Sequence, residues 1–195
     1  LSNPNTVLSY TNAGQPLPAL KSTQREIGLK TQYAPTAWQV TWFDITRPAT
    51  ADAQVSCSNT PSACIYTRKI DGQNHHQGLE ISTKTKLTRW DIDASAMRLD
   101  AKRENAMIQT DLNGQHPINV PKYILRGMAQ YHHPDITGLR SGLRISREGE
   151  RNVTEHGEIV LPAWTTLDAT AHYDTVVNNI ASTWTLAVNN LANKH

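Results

Sequence analysis

The stretch Leu79-Glu80-Ile81-Ser82-Thr83-Lys84-Thr85-Lys86-Leu87 decides how the rest of the chain is read. Its odd-numbered members are apolar or neutral, while Glu80, Ser82, Lys84 and Lys86 are polar or charged. In an extended backbone successive side chains point to opposite faces, so this alternation makes a strand with one dry and one wet side. A helix would scatter both sets around its axis.

The same split appears on either side of this stretch. Ile27, Leu29, Thr31 and Tyr33 oppose Glu26, Gly28, Lys30 and Gln32, and Leu139, Ser141, Leu143 and Ile145 oppose Arg140, Gly142, Arg144 and Ser146. Thr165, Leu167, Ala169, Ala171 and Tyr173 alternate with Thr166, Asp168, Thr170, His172 and Asp174, and Tyr123, Leu125, Ala129 and Tyr131 with Arg126, Gln130 and His132. Strands are expected over about 24–34, 38–47, 76–88, 91–103, 122–132, 138–147, 163–174 and 182–191. The facing of the second is open: Trp38, Val40 and Trp42 compete with Phe43 and Ile45, which suggests a bulge or register change near Trp42.

Connections alternate in length. Pro35 to Ala37, Thr88 to Trp90, His133 to Thr137 and Thr175 to Ala181 are short, whereas Pro48 to His75, Glu104 to Pro121 and Glu148 to Pro162 are long; residues 1–23 have the look of another long loop's end. Tyr33, Trp38, Trp90, Tyr131, Tyr173 and Trp184 fall near the short turns. Short turns at one end, long loops at the other and a girdle of amphipathic rings are the pattern of an antiparallel up-and-down transmembrane β-barrel. The fold class is therefore all-β, about eight strands of a larger barrel.

Composition agrees. Only 38% of the 195 residues are hydrophobic and a single Phe is present beside 5 Trp and 6 Tyr, a poor supply for a conventional core. The net charge of +2 contains no basic block, which argues against nucleic acid. The longest apolar run, Ile159 to Trp164, is far short of a membrane helix. Leu1 to Tyr10 is polar, lacks a charged leader and contains Pro4, so the chain reads as starting internally. Cys57 and Cys64 lie in a Ser/Asn/Pro-rich stretch and suit a small disulfide-closed loop in an oxidising compartment; two unpaired thiols are the alternative.

Enzymatic signatures are lacking. No G-x-S-x-G elbow occurs, Gly138 to Gly142 resembling one only superficially. The pairs His75–His76 and His132–His133 point to opposite faces of a strand and lack the spacing of a shared metal site. Asp91 and Asp93 read as turn-forming residues, and Asn152-Val153-Thr154 as a chance glycosylation pattern. The charges of the wet faces, Glu80, Lys84, Arg126, Arg140, Arg144, Asp168 and Asp174, belong in a polar lumen, because charge facing lipid is costly.

Leu20-Lys21-Ser22-Thr23-Gln24-Arg25-Glu26-Ile27-Gly28-Leu29-Lys30 resembles the "LKSxQxExGxK" strand entry of TonB-dependent siderophore receptors. His76-Gln77-Gly78-Leu79-Glu80 is similar to their "srGvE" strand start. Leu161-Pro162-Ala163-Trp164-Thr165-Thr166-Leu167-Asp168 and the closing Trp184-Thr185-Leu186-Ala187-Val188-Asn189-Asn190-Leu191-Ala192-Asn193-Lys194-His195 are similar to the family's late blocks, in the family's order. The resemblance implies residues 1–195 as the C-terminal portion of an outer-membrane receptor barrel of about 22 strands, without its plug domain and closing strand. It further implies no catalysis, no cofactor and no resident metal. The implied cargo is a ferric siderophore, with cobalamin or haem as other cargoes of the superfamily; the implied partners are TonB, reached through the plug, and outer-membrane lipid. The seven lumen charges become candidate plug contacts, and no ligand-binding residue is carried over. A soluble secreted β-sandwich that binds carbohydrate, and a passive porin, are the competing readings; successive charges on the wet faces do not suit a two-layer core.

Overall fold

The computed structural model describes residues 9–57 and 64–193. The polar start as far as Leu8, the interior of the stretch between Cys57 and Cys64, and Lys194-His195 of the closing motif lie outside the described residues.

The strands are β1 (Ser9–Tyr10), β2 (Thr23–Tyr33), β3 (Thr36–Ser56), β4 (Ile65–Lys86), β5 (Trp90–Glu104), β6 (Tyr123–His132), β7 (Leu139–Glu148), β8 (Arg151–Asn152), β9 (Val160–Leu161), β10 (Trp164–Val177) and β11 (Ile180–Val188). The eight long ones pair antiparallel in the order β11-β10-β7-β6-β5-β4-β3-β2, each beside its neighbour in the chain. This is an up-and-down meander. β8 and β9 form a separate small ladder inside the β7–β10 connection, and a 3-10 turn at Thr110–Leu112 sits between β5 and β6. Two joints are two-residue turns, Ala34-Pro35 and Asn178-Asn179; the latter has φ of 49° and 62°, and two consecutive left-handed residues make the primed turn that matches strand twist, a conformation Asn tolerates.

Eight strands are expected and eight long ones carry the sheet, β1 joining as a ninth, and several details differ from the expectation. The span 48–75 is mostly not loop: β3 and β4 run on for 21 and 22 residues as a hairpin arm, whose end is tied by the Cys57–Cys64 disulfide with a Cα–Cα distance of 4.0 Å. Register shifts at Pro48/Thr50 and Gln54/Ser56 interrupt its alternation, and Pro48 brings no N–H to the ladder. Gly72, at φ 66°, passes so close to β5 that a Cβ there would lie 2.3 Å from the Glu104 carbonyl oxygen.

No irregularity occurs near Trp42. Trp38, Val40 and Trp42 pair in unbroken register with Thr83, Ile81 and Leu79, which places them on the apolar face; Phe43 lies on the other face, over Gly78. Asp91 and Asp93 are not turn residues, because β5 already begins at Trp90. Finally, residues 1–23 include β1, which pairs parallel with β4 through Ser9↔Ile65 and Tyr10↔Tyr66, on the edge of the arm that β5 is too short to reach.

The sheet is a single layer. Among the described residues no large side chain is fully buried, while Ile27, Leu29 and Leu186 stay 71%, 69% and 68% exposed. The buried residues Ala101, Ala106, Leu112, Asp71 and Arg103 gather at the long-loop end, where residues 105–122 fold back against β4 and β5. A sheet with one bare apolar face is not covered by its own chain, and such faces exceed what water-exposed monomers normally carry.

Candidate functional site

Pairing register assigns every strand residue to a face. One row across the sheet runs Ala37, Lys84, Asp93, Met128, Arg144, Asp168; the next runs Gln39, Ser82, Ser95, Arg126, Ser146, Thr166. These rows line an open cavity of 550 Å³ that gathers Lys84, Asp93, Arg126, Arg144 and Asp168 among serine and threonine hydroxyls. Glu80, Lys84, Arg126, Arg140, Arg144, Asp168 and Asp174 stand on this one face of the sheet. Four of them line this cavity; Glu80 stands one row nearer the long loops, opposite Thr41 and Met97, and Arg140 and Asp174 stand nearer the short turns.

Their partners differ. Arg140 donates from Nη2 to Asp174 Oδ2 at 2.6 Å, and Asp174 Oδ1 also accepts from the Thr183 hydroxyl at 2.7 Å. Asp168 Oδ1 accepts the Asn190 amide at 2.9 Å, tying the end of the chain to β10. Lys84, Arg126 and Arg144 form no ion pair within the described residues, Arg144 touching only the Met128 sulfur at 4.0 Å. Asp93, set aside in the sequence reading as a turn former, lies opposite Lys84 on the same face. An alternation count that continued through Trp90 would have found it.

The opposite face carries rows such as Leu29, Val40, Ile81, Ala96, Leu125 and Tyr33, Thr36, Thr85, Ile92, Ala129, Leu143, Ala169. All six girdle aromatics share this face. Trp90 and Tyr131 lean against each other, their rings tilted by 50° with centroids 4.8 Å apart. Tyr173 and Trp184 are cross-strand partners inside β10 and β11 rather than at their ends, since that hairpin continues to Val177 and Ile180. The apolar set from Leu79 to Leu87 spans about 27 Å of strand at the usual rise, which at the tilt of barrel strands is about 20 Å of height, most of a barrel's apolar band. Beyond Leu79 the same face turns polar: His75 contacts Asp44 Oδ2 through Nε2 at 3.0 Å and Glu104 Oε1 through Nδ1 at 3.1 Å, and those two carboxylates raise its pKa. His76 faces the other way, and burial lowers its pKa. His132 and His133 likewise separate, to Asp91 at 2.7 Å and Ser141 at 2.9 Å.

At the long-loop end, the Asp71 carboxylate accepts the backbone N–H groups of Met107, Ile108 and Gln109 at 2.6, 2.8 and 3.1 Å. Arg103 donates to the Asp71 carbonyl and, at 3.3 Å, to its carboxylate. Burial of Asp71 opposes ionisation, but the three amides and the guanidinium outweigh it and hold the carboxyl below its ordinary range. Two further contacts join this loop to the next: the Asn119 amide donates to Asn152 O at 2.9 Å, and His156 Nε2 meets Asp111 Oδ2 at 2.7 Å. Asp111 raises the His156 pKa, and His156 lowers that of Asp111. On the arm, Asp52 takes a two-point bond from Arg68, at 2.8 and 3.0 Å, and the Tyr10 hydroxyl at 2.9 Å.

The family model of the TonB dependent receptor-like β-barrel matches residues 2–191. The ferrichrome receptor FcuA of Yersinia enterocolitica is 28% identical over 189 residues, 94% of this chain and 23% of its own length. Among solved structures, BauA, the ferric preacinetobactin receptor of Acinetobacter baumannii, superposes with a TM-score of 0.75 at 23% identity, over 97% of this chain and 28% of its own. FyuA, the ferric yersiniabactin uptake receptor of Yersinia pestis, gives 0.66 at 17% identity, over 92% and 26%. The structures share the fold, and the chain spans about a quarter of the length of these relatives.

Proposed function

Because this chain belongs to the TonB-dependent receptor-like β-barrels, a family of receptors and transporters rather than enzymes, we propose that it is part of an active importer that captures a ferric siderophore outside the cell. TonB-dependent receptor barrels are outer-membrane proteins, and in this reading the chain sits in the bacterial outer membrane with Leu79 to Leu87 and its row partners facing lipid. The observation that carries the proposal is the two-faced single layer, with Ile27, Leu29 and Leu186 exposed on one side and unpaired charges around 550 Å³ on the other. A soluble sandwich would cover its apolar face with a second sheet of similar extent, whereas among the described residues the other sheet is the two-stranded β8–β9 ladder within a long loop.

Residues 1–195 form the C-terminal portion of the receptor's barrel, and a plug contributed by the rest of the receptor lies against the charged face. Glu80, Lys84, Arg126, Arg140, Arg144, Asp168 and Asp174 are its contacts. Charge-assisted bonds of that kind are individually modest in a wetted lumen, so ligand binding and TonB-supplied energy can shift the plug without breaking covalent bonds. The siderophore is the cargo and no cofactor takes part. Ferrichrome is the first cargo to try, given the relative named for it.

The experiment is uptake of iron-labelled siderophores by iron-starved cells carrying the full receptor, with and without TonB, alongside membrane fractionation. Uptake of one ferric siderophore that vanishes without TonB is the expected result. Import of cobalamin or haem instead, or a receptor absent from the outer membrane, would overturn it.

A further inference from the structure

Beyond the apolar band, the His75 ring lies between two carboxylates from different strands: Nε2 meets Asp44 of β3 at 3.0 Å, and Nδ1 meets Glu104 of β5 at 3.1 Å. Carboxylate oxygens accept, and a neutral imidazole carries a single N–H, so both contacts hold together only when the ring is the doubly protonated cation. With a neutral ring, one nitrogen turns a lone pair towards a carboxylate oxygen and that contact opens.

The place of these contacts in the fold gives them leverage. The rung Thr46, His75, Lys102 is the last that β2 reaches, and β6 has already left β5 at Arg98. β5 itself ends at Glu104, opposite Gln73. Directly beyond come the Pro48/Thr50 register shift and Gly72, after which the β3–β4 arm continues without β5. One ring therefore ties β3, β4 and β5 together at the root of the arm.

The charges that face the ring balance only with its proton. Arg25 of β2 lies opposite Asp44, Asp100 and Lys102 of β5 pair with each other at 2.9 Å, and β4 adds the neutral Gln73 and Gln77. From the connection after β5, Lys122 is neutralised by Glu150 at 2.6 Å. His76 and Arg47 face the other side of the sheet. Arg25 and Lys102 set against Asp44, Asp100 and Glu104 leave one negative charge, which the imidazolium cancels.

We infer that His75 is a proton-operated clasp at the root of the β3–β4 arm: charged, it locks β4 to both neighbouring strands, and neutral, it releases one of them and loosens the arm. The two carboxylates raise the His75 pKa, so the clasp is complete below the ordinary histidine value of about 6.5 and is lost as pH rises through the higher folded value. That the arm responds to the external medium rests on the membrane reading above, with the long-loop end outside; the clasp itself does not.

The test uses the full receptor in detergent micelles. In wild type, nitrogen NMR of the labelled imidazole, assigned by the signal lost in His75→Gln, should show both His75 ring nitrogens protonated at pH 5.5. The His75 titration midpoint should fall in Asp44→Asn and in Glu104→Gln. Amide exchange at 44–47, 73–77 and 102–104, corrected for intrinsic rate, should be about three- to tenfold faster at pH 9 than at pH 5.5, and His75→Gln should abolish the difference. A ring neutral at pH 5.5, a midpoint unmoved in both carboxylate variants, or exchange independent of pH in wild type would each overturn the clasp. The wild-type exchange comparison decides even where a variant fails to assemble. Siderophore uptake and fractionation are read in parallel: a receptor outside the outer membrane removes the link to external pH and the functional reading, whereas pH-independent exchange with uptake intact touches this inference alone.

Discussion

Asp71 shows how much one side chain can organise. It is 3% exposed and accepts three consecutive amides that would otherwise be unpaired, so Asp71→Asn replaces an acceptor by a donor facing an N–H group. The expected cost is about 1–3 kcal/mol, confined to the 105–122 loop, which corresponds to roughly ten- to hundredfold faster hydrogen exchange at Met107 to Gln109. The lowered pKa fixes the pH response: the contact is complete above the ordinary carboxylate pKa of about 3.9 and is lost only as pH falls through the lower folded value. Exchange at those amides, corrected for intrinsic rate, should therefore be the same at pH 5 and pH 7. A faster corrected rate already at pH 5 would show that another group holds the loop.

Among the elements, the two long loops are joined by the His156–Asp111 pair, with the opposite pH signature. A histidine raised by a partner gives a contact that is present below its unfolded pKa of about 6.5 and is lost as pH rises through the higher folded value. Both groups are exposed, so the effect is one of loop mobility: spin labels on the two loops should show a broader separation at pH 8.5 than at pH 5.5, and His156→Gln should remove the difference. These contacts also mark the limit of what the sequence discloses. Alternation in Leu79 to Leu87, and in each strand whose two sides meet different solvents, is local and can be read directly. The β3–β4 arm could not be, because Pro48 and Gly72 break the period of two and look like loop punctuation. Asp71 and Arg103 were missed for a different reason: their bonds join residues more than thirty positions apart, and nothing near Asp71 in the sequence announces partners at 107–109. On the charged face, composition and alternation identify the charges, but only the folded sheet shows that Arg140 bonds Asp174 while Arg126, opposite Ser95 and Ser146, meets no acid among the described residues.

For the whole molecule, the assignment of faces is the claim on which everything else depends, and a matched pair of substitutions tests it. Leu143 lies between Ala129 and Ala169 on the apolar face, and Ser82 between Gln39 and Ser95 on the charged one. Leu143→Arg should cost about 2–4 kcal/mol and reduce assembled receptor in the outer membrane, while Ser82→Arg, meeting water or polar groups, should assemble as the parent does. The reverse order would mean that the sheet is inside out. The parallel β1–β4 pair adds a matter of timing. Each long strand pairs with one that is adjacent in the chain, whereas Ser9 of the two-residue β1 must find Ile65, the first residue of β4, with β2 and β3 lying between them. Its closure entropy is met only once the arm exists, so β1 is among the last parts to lock and the first to let go. The Tyr10 hydroxyl on Asp52 then serves as a clock hand, and its state tells whether the arm beneath it has finished folding.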